Sequence, residues 1–157
     1  MESAVFSGSF DPFTLGHLDL VTRALRVFSE VTVLVAHNPE KKGFLPFAER
    51  LEIVRLSVQG IPCVQVDSWE GLTVEYMKTH QIRNLLRGLR GPLDFTVEQS
   101  LEWANKRLYP DCETFYLRSS PQFENVSSTL VREFIRHGAD LTGMVAAPAI
   151  PRLVRSC

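Results

Sequence analysis

Short β-branched runs alternate with stretches of helical periodicity along nearly the whole chain, and this alternation constrains the fold more than any other feature. Ala4-Val5-Phe6 stops at Gly8 and reads as a buried strand. Leu18, Val21, Leu25 and Phe28 have helical spacing, and residues 31–36 read as a second strand. Phe47, Leu51, Val54 and Val58 predict a second helix, with Pro46 in its first turn and Gly60 as its stop. The pattern continues with a strand over 63–66, a helix over 72–79, a strand over 82–86, a helix over 92–108 and a strand over 114–117. Ser127-Ser128-Thr129 then opens an N-capped helix that closes near Gly138. The tail after Leu141 carries Pro148 and Pro151 and is left unassigned. Strands separated by helices imply right-handed crossovers, so the expectation is an α/β, Rossmann-like parallel sheet of about five strands with helices on both faces. A length of 157 residues suits one domain spanning 1–157.

Composition narrows the partners. The formal net charge of −1 argues against a nucleic-acid coat, which needs a basic excess, although a local basic patch is compatible with it. The longest apolar runs, residues 31–36 and 144–150, fall far short of a membrane span. The acidic start Met1-Glu2-Ser3-Ala4 does not read as a signal peptide. Cys63, Cys112 and Cys157 are odd in number and far apart, which predicts neither a zinc site nor a disulfide framework and suggests a reducing cytoplasm.

Ligands of parallel sheets bind beyond the C-terminal strand ends. Four chemistry-bearing segments fall there. The first runs from Gly8 through Ser9, Phe10 and Asp11 to His17, at a helix start where backbone amides attract anions. It lacks the Gly-x-Gly-x-x-Gly of a dinucleotide turn. The second, Asn38 to Gly43, carries Lys41 and Lys42; a mobile lysine reaching a phosphate and plain solvated decoration weigh equally there. The third, Arg87-Gly88-Leu89-Arg90, offers guanidiniums for phosphate, against ion pairing with Asp94 or Glu98. The fourth, Ser127-Ser128-Thr129, has three hydroxyls at a helix start where capping alone needs one.

Taken together, the segments resemble a known family. Thr14-Leu15-Gly16-His17 is similar to the [His/Thr]-x-Gly-His signature of the nucleotidyltransferase superfamily. Gly8-Ser9-Phe10-Asp11-Pro12, Asn38-Pro39 with Lys41, Arg87-Gly88-Leu89-Arg90 with Asp94-Phe95, and the run from Ser127 to Glu133 resemble the bacterial phosphopantetheine adenylyltransferases. The resemblance runs from about Ala4 to Met144. It implies transfer of the adenylyl group of ATP to 4′-phosphopantetheine with Mg²⁺, giving dephospho-coenzyme A and pyrophosphate. By matching position, His17, Lys41, Arg90 and Ser128 would hold the ATP phosphates, with Phe10, Ser127 and Thr129 also on the ATP side. Ser9 would sit between the reacting phosphates, and Glu98 near the ribose. Arg87 and Lys41 would serve the pantetheine phosphate; Leu72, Trp69, Asn105 and Glu133 would line the pantetheine arm. A homohexamer is also implied, and no metal ligand is specified. Ser9 stands where many members have Thr. Thr96 and Val97 replace an acid and an aromatic. His37 replaces a smaller or aliphatic residue beside the presumed path of the arm; its place after the second strand favours a side chain facing the crevice or its rim, against the more usual outcome for a loop histidine of pointing to solvent.

The chemistry agrees with such a site. A phosphate nucleophile is already anionic near neutral pH, so positioning and charge neutralisation suffice, and no Ser-His-Asp or Cys-His arrangement is apparent. The competing expectations are a superfamily member with a different phosphorylated acceptor and a non-catalytic nucleotide-binding module.

Overall fold

The computed structural model describes residues 2–155. The elements run β1 (Ser3–Gly8), α1 (Leu15–Ala24), β2 (Glu30–His37), α2 (Phe47–Val58), β3 (Val64–Glu70), α3 (Thr73–Thr79), β4 (Asn84–Leu89), α4 (Pro92–Leu108), β5 (Glu113–Arg118), α5 (Ser128–Arg136) and α6 (Ile150–Arg155). Among the described residues the five strands form one sheet, in the order β3-β2-β1-β4-β5 with every pairing parallel. The expected α/β, Rossmann-like sheet is therefore present.

Strand alternation splits the core in two. On β1, Ala4 and Phe6 enter the larger core while Val5 enters the smaller one; on β2, Val31, Val33 and Val35 oppose Leu34 in the same way. The larger core takes Leu20 and Val21 of α1, Ile53 and Val54 of α2, Val131 of α5 and Leu153 of α6. The smaller core takes Val74 and Met77 of α3. Helices thus cover both faces.

Three boundaries differ from expectation. β3 extends to Glu70, because Val64, Val66 and Ser68 keep the inward positions while Gln65 and Asp67 point outward. β4 continues through Arg87, Gly88 and Leu89, which pair with Tyr116, Leu117 and Arg118, so Arg87 lies within the strand and not in the turn after it. A Cβ at Gly88 would come within 2.4 Å of Leu20 Cδ1, so glycine lets α1 settle on the strand. The tail, left unassigned above, forms a 3₁₀ turn at Ala147–Ala149 and the short helix α6. Among the described residues no helix is long and apolar enough to cross a membrane.

Candidate active site

The strand order reverses between β1 and β4, where crossovers leave in opposite directions, and a cavity of about 440 Å³ opens at that point. Ser9, Phe10 and His17 line it from the β1–α1 loop; Arg87, Arg90 and Glu98 line it from β4 and α4; Ser127, Ser128 and Thr129 line it from the start of α5. Nine of the sequence-predicted residues are thereby brought together.

His17 is the third residue of α1, whose N-cap is Thr14. The Thr14 amide donates to His17 Nδ1 at 2.9 Å, which makes Nδ1 an acceptor and leaves the ring proton on Nε2. Burial, reinforced by the Arg90 charge, lowers the His17 pKa from 6.5 to about 4. The ring packs against Phe6, Phe10 and Phe13, with centroids 5.1 to 6.1 Å away, while one edge remains open to the cavity. Near neutral pH it is a neutral N–H donor.

Both ion-pair alternatives for the arginines are realised. Arg87 Nε and Nη2 clasp the two Glu98 oxygens at 2.8 and 2.7 Å, and Nη1 donates to the Ser7 carbonyl at 2.9 Å. Glu98 is therefore a partner of Arg87 in this structure. The Arg90 amide donates to Asp94 Oδ2 at 2.8 Å, but its side chain is half-exposed and only 3.8 Å from the same oxygen at Nε. Arg90 is the freer cation.

At α5 only the Ser128 hydroxyl spends its proton within the chain. Ser127 Oγ accepts from the Leu130 amide at 3.1 Å as the N-cap, Ser128 Oγ donates to the Pro12 carbonyl at 2.8 Å, and Thr129 Oγ1 accepts from Arg132 at 3.1 Å. No hydrogen bond to the Ser128 or Thr129 amides is present among the described residues. The Ser128 and Thr129 amides and the hydroxyl protons of Ser127 and Thr129 are the donors available to an anion here.

The β1–α1 loop is fixed from several directions. Asp11 accepts from the Phe44 and Leu45 amides at 2.7 and 2.9 Å. Arg132 Nη1 donates to the Asp11 carbonyl at 2.9 Å, and Arg50 Nη1 to the Ser9 carbonyl at 2.8 Å. Phe10 is buried at a positive φ of 47°, held there by edge contacts to Phe6 and Phe13.

Other expected residues stand outside the cavity. Lys41 is exposed on the β2–α2 loop, where only its amide is engaged, to the Asn38 carbonyl at 3.1 Å. Leu72 is exposed ahead of α3, and Trp69 packs edge-on against Tyr76 with Nε1 buried and unpartnered. Asn105 lies on α4 well beyond the residues that reach the cavity. Glu133 is exposed and pairs with Arg136. His37 ends β2, stacks on Phe47 at 4.2 Å and places Nδ1 3.6 Å from Glu70. It does not line the cavity, contrary to the crevice-facing expectation, because the Phe47 ring at the start of α2 captures it.

A cytidylyltransferase-like family model matches residues 5–134. A phosphopantetheine adenylyltransferase of Thermosynechococcus vestitus is 44% identical over 92% of this chain and 86% of its own. The chain belongs to the phosphopantetheine adenylyltransferase family. Further members from Thermotoga neapolitana and Desulforudis audaxviator are each 42% identical, covering 95% and 99% of this chain and 92% and 94% of their own lengths. Each family motif quoted from the sequence places some of its residues on the cavity wall, with the exception of the Lys41 loop.

Sequence reasoning missed Arg50, and Thr14 as the residue that orients His17. Arg50 shares a helical stripe with buried Ile53, Val54 and Ser57, and a charge on that stripe is the signal that was available.

Proposed function

We propose that the chain transfers the adenylyl group of ATP to the phosphate of 4′-phosphopantetheine, releasing pyrophosphate and forming dephospho-coenzyme A. The supporting observation is the cavity itself: a neutral histidine donor, the loosely paired Arg90 and unpaired amides of α5 converge at the C-terminal ends of β1 and β4. A phosphate oxygen of the acceptor forms a bond to the α-phosphorus of ATP. The bond from that phosphorus to the bridging oxygen breaks, and its electron pair leaves with pyrophosphate. The nucleophile is anionic, so no residue need remove a proton, and His17 serves as a donor to phosphate oxygen.

In this reading His17, Arg90, Ser128 and, by movement of its loop, Lys41 steady the ATP phosphates. Phe10, Ser127 and Thr129 support them, and Ser9 lies between the reacting groups. Arg87 keeps two of its five N–H donors after bonding Glu98 and Ser7, enough to meet the pantetheine phosphate without releasing Glu98. Glu98, assigned to the ribose, also keeps Arg87 in place. Leu72, Asn105 and Glu133 are assigned to the pantetheine arm beyond the cavity.

Mg²⁺ would enter with the polyphosphate. Among the described residues no group of three or more His, Cys, Asp and Glu could hold a metal, and the cavity's Asp94 and Glu98 already face arginines. That donor set suits an ion ligated chiefly by substrate oxygens and water, whose contribution would be to neutralise phosphate charge.

A homo-oligomer, a hexamer by family resemblance, fits the exposed Leu93, Val97 and Trp103 of α4, a helix that buries no residue within the chain. A cytoplasmic setting suits the free thiols Cys63 and Cys112. Pyrophosphate release from ATP, measured with and without 4′-phosphopantetheine, tests the reading. Release only with a different phosphorylated acceptor, or ATP binding without release, would overturn it.

A further inference from the structure

Arg50 is a buried cation with no acid in direct contact with its guanidinium among the described residues. It is 6% exposed, joins no ion pair among the described residues, and its Nε has no hydrogen-bond partner. The neighbouring acid on α2, Glu49, pairs with Arg152. The Asp11 carboxylate lies nearby across Gly43, where it accepts from the Phe44 and Leu45 amides and balances the Arg50 charge without bonding the guanidinium. The other contacts are the Phe47 ring, 5.4 Å from the guanidinium carbon, and the Ser9 carbonyl at 2.8 Å.

Burying a guanidinium that no acid bonds is costly, and an apolar side chain on this helix stripe would avoid the cost. The contact with Ser9 gives the charge a use. The Ser9–Phe10 peptide is trans, so its carbonyl and N–H point in opposite directions. Arg50 draws the carbonyl toward α2, and the Phe10 N–H therefore faces away from α2. No acceptor for that N–H occurs among the described residues, although Phe10 is 3% exposed and both residues line the cavity. A peptide N–H whose own carbonyl is bonded to a cation is a stronger donor.

We propose that Arg50 is a positioning residue for phosphoryl chemistry, fixing the Ser9–Phe10 peptide so that the Phe10 N–H and the Ser9 hydroxyl meet phosphate oxygens at the reacting centre. This rests on the adenylyl-transfer reading, and two assays separate them. In the first, kcat and KM for ATP and 4′-phosphopantetheine are measured for the parent, Arg50→Lys and Arg50→Met, normalised to folded protein. The expected result is a fall in kcat of about a hundredfold for Met and a smaller fall for Lys, with each KM within roughly threefold. Unchanged kcat in the folded variants would overturn the proposal, as would losses confined to KM. If Arg50→Met does not fold, Arg50→Lys decides by the same criterion.

The second assay needs no turnover. Pyrophosphate is titrated into ¹⁵N-labelled parent and Arg50→Lys, and the amide shifts are followed. The Phe10 amide proton should move downfield in the parent and respond weakly in the variant, while the Ser128 and Thr129 amides respond alike in both. Equal Phe10 responses would overturn the proposal. A parent that responds here yet releases no pyrophosphate from ATP and 4′-phosphopantetheine would sink the reaction assignment and leave the Arg50 result to stand or fall by the amide shifts.

Discussion

Replacing His17 with glutamine should flatten the acid limb of the stability curve. In the folded chain His17 holds a pKa of about 4, against 6.5 when unfolded. Between those values the unfolded state binds more protons than the folded one, so stability rises with pH across the window. The contribution is complete above pH 6.5 and is lost as the pH falls through about 4. The gap between 6.5 and about 4 corresponds to about 3 kcal/mol, with a slope approaching about 1.4 kcal/mol per pH unit in mid-window. Gln cannot titrate but can accept the Thr14 amide, so His17→Gln should carry a constant cost of about 1 kcal/mol that does not vary with pH. Urea unfolding of both proteins at half-unit intervals from pH 4 to 7.5 gives the difference directly. The two curves should cross at about pH 6, the parent losing about 3 kcal/mol toward acid that the variant keeps, so that the variant is the more stable of the two at the acid end. Parallel curves would mean that His17 is not held neutral, and the donor assignment for Nε2 would fall with it.

Other outcomes follow from the same geometry. His17→Ala should lose about a hundredfold in turnover at saturating substrates while remaining folded, measured by pyrophosphate release and circular dichroism. Arg90→Ala should weaken ATP use chiefly. Arg87→Ala should weaken 4′-phosphopantetheine use and also destabilise the chain by about 1–3 kcal/mol, because Glu98 loses its partner; adding Glu98→Gln should recover part of that loss in a double-mutant cycle. Gly88→Ala should cost about 1–3 kcal/mol through its clash with Leu20, and Leu20→Ala in the same chain should relieve part of it in thermal melts. His37→Ala should leave both KM values within about twofold, since the ring faces Phe47 and Glu70 and not the cavity.

Much of the site was legible because its motifs sit where the fold class places ligands. His17 and the Ser127–Thr129 cluster could be placed at helix starts from local sequence alone, and α2 and α4 appear with the expected bounds. What escaped depends on tertiary partners. Arg87 reads as a turn residue until β5 extends the pairing through Gly88 and Leu89. The choice between phosphate and Glu98 depends on a contact eleven positions away. The hydroxyl of Ser128 looks free in sequence, yet the Pro12 carbonyl takes its proton. Arg50 carries no motif at all. Its meaning lies in a carbonyl 41 residues earlier.

The β1–α1 loop illustrates how late such a site must come together. Its supports are Arg50, the Phe44 and Leu45 amides, Ser128 and Arg132, separated from it by 33 to 121 positions. Each contact closes a long stretch of chain, and loop-closure entropy makes such contacts slow to form. During refolding, helical signal from α2 and α4 should therefore return before catalytic competence does. A nascent chain still lacking α5 would have the loop's residues without two of its restraints. Turnover in this protein is thus a property of the finished topology, and partly assembled forms would hold the motif without the reaction.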